Sequence, residues 1–143
     1  MVIVNGITLA PPLDINAGGT ISSLAIQPGG EIVAGGTFRT LEGLPRTNLV
    51  RFQTNGSVDP TWAPNPNDWI AALAIESGGS TIAAGNFTKI GGVERSSLAR
   101  IDHSGSVDAT FNPGADSTIR NLIVRSDGSL QLGGPFLAVG GQP

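Results

Sequence analysis

The sequence predicts an all-β chain built as β-propeller blades of four antiparallel strands. Three observations predict it. Residues 20–68 lie on residues 69–117 without a gap, and a third copy begins at Thr118. TISSLAIQPGGEIVAGGTF aligns with WIAALAIESGGSTIAAGNF and with TIRNLIVRSDGSLQLGGPF, and the first two copies share 19 identities in 49 positions. A period of roughly 40–50 residues is that of propeller blades or similar arrays. Glycine is also abundant, 21 of 143 residues, about twice ordinary usage. Finally, no segment shows sustained helical periodicity, and the apolar residues fall in short runs between turn residues.

Each copy yields four candidate strands. The first spans 21–27, with counterparts at 70–76 and 119–125. A turn follows at Pro28-Gly29-Gly30, Ser77-Gly78-Gly79 and Ser126-Asp127-Gly128, where glycine supplies positive φ without steric cost. The second spans 32–36, 81–85 and 130–134. It is small and apolar in character, as a strand buried on both faces should be. Gly36, Gly85 and Gly134 recur there, each followed two residues later by Phe38, Phe87 or Phe136. Glycine within a strand points to a bulge or a close backbone approach, and the aromatic supplies a large core anchor. A polar loop at 40–45 leads to the third strand, 48–53 or 97–102. Its alternation of Leu49 with Arg51 reads as half-exposed. Asn55-Gly56 and Ser104-Gly105 form a second hairpin turn, and a short fourth strand occupies 58–62 and 107–111.

The segments GSVDPTW, GSVDATF, GGTF, GNFTKIGGV and FNPGAD carry a family resemblance. The chain resembles the delta-60 repeat family of bacterial β-propeller-like repeats. In that pattern a GG-F element is followed by R-L-R and then DGS-D-F-P. The resemblance covers residues 20–143. It departs at Trp62, where phenylalanine is usual, and at Ala84, where glycine is usual; both changes bear on packing. The resemblance implies a propeller on secreted or surface proteins and brings no established active site.

The two ends are complementary. The third copy, 118–143, holds the first two strands of a blade. Residues 1–19 supply the last two, with 2–4 resembling a third strand, Asn5-Gly6 the turn, and 13–19 standing in the place of 111–117. The expected organisation is two full blades, 20–68 and 69–117, plus two half-blades. Three readings follow: a head-to-tail ring of two chains, a piece of a longer array, or a compact monomer. Heterologous contacts close into rings when the rotation permits.

Composition narrows the functional classes. Eight basic and eleven acidic residues give a net charge of −3, and nucleic-acid binding needs a basic surface. Lys89 is the only lysine, so a polybasic membrane patch is absent. No apolar run approaches the length of a spanning helix, so membrane insertion is not expected. The first residues, MVIVNGITLAPP, do not read as a signal peptide. There is no cysteine, which removes disulfide and thiolate chemistry.

The polar residues offer few chemical constellations. Arg46 and Arg95, Arg51 and Arg100, and Asp59 and Asp108 recur. They could line a channel, but a tie repeated with the blade is the plainer reading. His103 is the only histidine and sits in a turn, without the oriented partner a general base needs. No Gly-x-Ser-x-Gly elbow occurs, no Asp-x-Asp-x-Asp-Gly calcium loop occurs, and one histidine cannot close a zinc site. No cofactor and no metal are expected. Trp62 and Trp69 flank Ala63-Pro64-Asn65-Pro66-Asn67-Asp68, so Trp69, Asn67 and Asp68 form a candidate sugar-binding platform. Against this, Trp62 fills the core place of Phe111, and Trp69 caps a blade seam.

The leading expectation is therefore a non-enzymatic structural or binding module, extracellular, on a cell surface or in a virion, that self-associates or joins a larger protein assembly. A lectin-like, glycan-binding propeller is the alternative. A secreted glycan-cleaving enzyme on a propeller scaffold is a third. It needs paired carboxylates, and Glu31, Glu42, Glu76 and Glu94 do not recur at matching positions.

Overall fold

The computed structural model describes residues 3–4, 7–8, 18–41 and 43–142. The described residues form strands and turns without a helix. In chain order the strands are β1 (Ile3–Val4), β2 (Ile7–Thr8), β3 (Thr20–Ile26), β4 (Ile32–Thr37), β5 (Thr40–Leu41), β6 (Leu44–Pro45) and β7 (Leu49–Phe52). They continue with β8 (Ile70–Ile75), β9 (Thr81–Gly85), β10 (Lys89–Ile90), β11 (Val93–Glu94), β12 (Leu98–Ile101), β13 (Asn121–Val124) and β14 (Leu130–Gly133). They pair as small antiparallel sheets. One has the order β3-β4-β7 and a second β8-β9-β12, while β13-β14, β1-β2, β5-β6 and β10-β11 are two-stranded.

The central strands are the ones whose composition requires it. β4 and β9 carry no charge and are buried throughout except at Thr37, as strands covered on both faces should be. The ladders of the first two sheets correspond: Leu24 pairs Ala34, and Leu73 pairs Ala83. Both slip once, between Ile21 and Ser23 and between Ile70 and Ala72, at the pairs Ile21–Gly36 and Ile70–Gly85. A Cβ at Gly36 would overlap the Thr20 carbonyl, one at Gly85 the Trp69 carbonyl, and one at Gly134 the Thr118 carbonyl. The recurring glycine is thus a close backbone approach beside a bulge. Gly85→Ala is expected to destabilise the chain by about 2 kcal/mol, read as a lower urea midpoint. An unchanged midpoint would show that the bulge relaxes freely.

Three sequence expectations are corrected. The polar loop at 40–45 is a miniature hairpin, β5-β6, matched by β10-β11. Leu41 and Ile90 are fully buried and anchor these hairpins, while Gly43 at φ 77° and Gly92 at φ 81° close them. The third strand of the first repeat is not half-exposed, since β7 is buried along its length, Arg51 included, whereas in β12 Arg100 is partly exposed. Its guanidinium enters the interior because Asp59 neutralises it at 2.7 Å. The fourth strand shrinks to one bridge per sheet, Phe52 with Val58 and Ile101 with Val107. The chain then bends, because Asp59 Oδ1 accepts the Thr61 N–H at 2.9 Å and hydroxyl at 2.7 Å. Asp108 does the same with Thr110 at 2.8 and 2.7 Å, so this turn forms with or without the proline at position 60.

The cores lie between consecutive sheets. Val33, Leu49 and Trp62 of the first repeat meet Ile70, Leu73, Ala83 and Phe87 of the second. Ile82, Ala84 and Leu98 of the second meet Ile119, with Leu122, Leu130 and Leu132 packed against them. A third cluster, including Ala34, Phe38, Val50 and Phe52, covers the other face of the first sheet. Most of the half-blade expected over 1–19, including 13–17, lies outside the described residues. Within it, β1 and β2 pair through Ile3–Thr8 and Val4–Ile7. Among the described residues this pair is a sheet separate from β13-β14.

Candidate functional site

The polar residues that recur in the sequence occupy the seams between and within the sheets. Arg51, on β7, sends Nη2 and Nε to Asp59 Oδ2 at 2.7 and 3.1 Å. Its Nη1 donates to the His103 carbonyl at 2.6 Å and to Gln27 Oε1 at 3.3 Å. Gln27 itself donates to the Gly79 carbonyl and to Thr81 Oγ1, each at 3.3 Å. The guanidinium lies 5.4 Å from the centre of the Trp62 ring. Arg51 and Gln27 together therefore tie the first repeat to two turns of the second. Burial pushes the Asp59 carboxyl upward, but hydrogen bonds from Arg51 and Thr61 outweigh it and lower the pKa to about 2.

The second repeat uses the same arginine differently. Glu76 stands where the first copy has Gln27, and it draws Arg100 into a fork, Nε to Oε2 and Nη2 to Oε1, both at 2.8 Å. Arg100 keeps a longer contact with Asp108 at 3.3 Å and lies 4.2 Å from the Phe111 ring centre. Two parallel charge-assisted bonds favour the fork over the single contact. Arg46 and Arg95 bind backbone: Arg46 Nη2 donates to the Asp59 and Pro60 carbonyls at 3.3 and 2.8 Å, and Arg95 Nη2 to the Asp108 carbonyl at 3.0 Å. These pairs are ties repeated with the sheet. The repeat could reveal Arg51 and Asp59, but not that Gln27 and Glu76 decide which partner each arginine takes.

The sugar-platform candidates are placed differently from one another. Asn67 Oδ1 accepts the Thr88 and Lys89 N–H groups, each at 3.0 Å, and Nδ2 donates to Thr88 Oγ1 at 2.9 Å. It clamps the connection between repeats onto the following miniature hairpin. Asp116, its counterpart, accepts the Leu137 and Ala138 N–H groups at 2.9 and 3.2 Å, and these bonds hold its carboxyl below the usual range. Asp68 accepts the Trp69 N–H and the Asn86 side-chain amide, both at 2.8 Å. Asn86 in turn accepts the Thr118 hydroxyl at 2.6 Å, so the chain of bonds reaches the third repeat. Asn67 and Asp68 line an open cleft of about 350 Å³ together with Arg39, Thr47 and Asn48. Trp69, half-buried, does not line it, and Trp62 is wholly buried in the core. The structure thus brings Asn67 and Asp68 together and leaves both tryptophans out.

Asn67→Ala is expected to cost about 1.5 kcal/mol, because two backbone donors lose their acceptor. Asn67→Asp, the residue of the third repeat, should cost under about 0.5 kcal/mol. Chemical denaturation of both variants checks the ordering. His103 is exposed, and among the described residues its imidazole makes no hydrogen bond. Nor do the described residues gather three His, Asp or Glu side chains as a metal site.

Comparison with known proteins agrees with this architecture. Residues 27–61 and 78–111 match a family model described as a domain of unknown function (DUF5122) beta-propeller. Each matched stretch contains a central strand, a miniature hairpin, a third strand and the aspartate that ends it. The chain is similar to β-propeller-like repeat proteins in both stretches. No curated protein matches it.

Proposed function

We propose that the chain is a non-catalytic structural or binding β-propeller module within a larger assembly: a cell-surface protein, a secreted protein, or a virion or phage particle. The reading takes the chain as a relative of the delta-60 repeats with a 49-residue unit. Each blade has four strands, the fourth reduced to a bridge, and the chain holds two full blades and two half-blades. The observation that carries it is the use of the recurring arginines and of the carboxylates they meet. Arg51, Asp59, Arg100 and Glu76 hold turns and neighbouring sheets together. Function has to be argued from groups free to act at a site, and these four are occupied in structural ties. The third repeat favours association, since Ile123 on β13 is 59% exposed and Leu137, beyond β14, is 83% exposed. Native mass spectrometry over rising protein concentration tests this. Multimers of the chain are the expected result, and a monomer at every concentration would overturn self-association.

A lectin-like function is the second reading. The cleft beside Asn67 and Asp68 favours it, because Arg39 stands exposed at its wall and sugar hydroxyls pair well with mixed charged and amide groups. A glycan array decides. Binding abolished by Asp68→Ala but kept in Trp69→Ala would place the sugar in this cleft. Loss on Trp69→Ala would restore the stacking platform, and an array with no binder would end the lectin reading.

A further inference from the structure

The hairpin turn after β7 carries a reactive pair of residues. Gln53 N–H donates to the Ser57 carbonyl and Gly56 N–H to the Gln53 carbonyl, both at 2.8 Å. Gly56 has φ 85°. Asn55 and Ser57 are exposed at the tip. Ser57 donates twice to Asn55 Oδ1, from its backbone N–H at 2.9 Å and its hydroxyl at 2.7 Å. Two donors on one amide oxygen withdraw electrons from Asn55 Cγ. They also stand where negative charge develops if that carbon is attacked. The Gly56 nitrogen is the nucleophile whose attack on Asn55 Cγ closes a five-membered ring, and glycine has no side chain to hinder that closure.

Two other turns of the molecule act as built-in comparisons. After β12 the same backbone bonds recur, Asp102 N–H to the Ser106 carbonyl and Gly105 N–H to the Asp102 carbonyl at 2.9 and 3.1 Å. Ser104 occupies the place of Asn55 there, so the electrophile is missing. After β13, Asp127 Oδ1 accepts the Ser129 N–H at 2.9 Å and hydroxyl at 2.6 Å. That is the Asn55 cradle with aspartate already in it, so the fold accommodates the acid.

We propose that Asn55-Gly56 is a site of spontaneous deamidation through a cyclic imide. Solvent hydroxide removes the Gly56 N–H proton, and the nitrogen's electron pair forms a bond to Asn55 Cγ. The Cγ–Nδ2 bond then breaks, and the nitrogen leaves as ammonia after taking a proton from water. Water opens the five-membered imide at either carbonyl, giving aspartate or isoaspartate. Nothing is oxidised or reduced. Closure requires the Gly56–Gln53 hydrogen bond to open. The product adds one negative charge to a chain whose net charge is −3. The proposal is independent of the assembly reading above.

The test incubates the full chain, folded, in heavy-oxygen water at mildly alkaline pH and physiological temperature. Peptide mass spectrometry then follows each asparagine, alongside the same chain held unfolded in denaturant. The expected result is heavy oxygen and isoaspartate at residue 55, with Asn65, Asn67 and Asn86 unchanged. Asn55→Ser, which copies Ser104, should remove the signal without moving the thermal midpoint. Ser57→Ala should slow conversion, since a donor to the developing oxyanion is lost. The proposal is overturned if folded Asn55 keeps its amide while the unfolded chain has half converted. Aspartate without isoaspartate would equally overturn it, since that indicates direct hydrolysis. So would a Ser57→Ala chain that converts as fast as the parent.

Discussion

Trp62→Ala is expected to lower the unfolding free energy by about 4 kcal/mol. The indole is fully buried and belongs to the core shared by the first two sheets, among Val33, Leu49, Leu73 and Phe87. Its Nε1 donates to the Asp102 carbonyl at 3.4 Å. The turn of the second repeat closes over it so tightly that a Cβ at Gly105 would lie 3.0 Å from Trp62 Cδ1. Truncation therefore opens a cavity where two repeats meet, removes the ring under Arg51, and leaves the Asp102 carbonyl with the Gly105 N–H as its remaining donor. Phe111 holds the corresponding place in the second repeat but is only partly buried, so Phe111→Ala should cost about half as much. Trp62→Phe keeps the ring and should cost about 1.5 kcal/mol. Denaturant titrations of the three variants check the order, and equal losses at positions 62 and 111 would refute the placement of the core.

The fold was legible where one physical cause acts locally and repeats. Glycine at 36, 85 and 134 announced a close approach, and the contact with the carbonyl one strand away is that approach. The apolar runs at 32–36 and 81–85 announced central strands, and both are central. What stayed hidden depends on a partner elsewhere in the chain. Alternation of Leu49 with Arg51 reads as a half-exposed strand unless the carboxylate of Asp59 is known to meet the guanidinium. The fourth strand looked longer because Val58 and Val107 suit a ladder, whereas the Asp-x-Thr turn that ends it is a side-chain effect. Asn67 beside two tryptophans resembled a ligand group. Its oxygen is already occupied by two backbone donors from a hairpin some twenty residues on. Only the match of Asn67 with Asp116, both good acceptors at one repeat position, hinted at that clamp.

Arg51→Met should cost about 3 kcal/mol at neutral pH, because it leaves the buried Asp59 carboxylate without its cation. The same change at Arg100 should cost about 1 kcal/mol, since that side chain is 30% exposed and water compensates for the loss. Asp59→Asn in the Arg51→Met background should recover much of the deficit, as an amide is less costly to bury than a charge. The pH dependence has a definite sign. Asp59 titrates near 2 in the folded chain instead of the ordinary 3.8. Its contribution, about 2 kcal/mol by linkage, is fully present above the unfolded value and is lost as pH falls through the folded one. In Arg51→Met the cation is gone and only the Thr61 bonds oppose burial, so protonation of Asp59 breaks no ion pair. The gap between parent and variant should therefore be widest near neutrality and narrow as pH falls from about 4 towards 2. Urea titrations at both ends of that range test it. A gap that does not change with pH would mean that the cost comes from the Gln27 and His103 contacts of Arg51 and not from the ion pair.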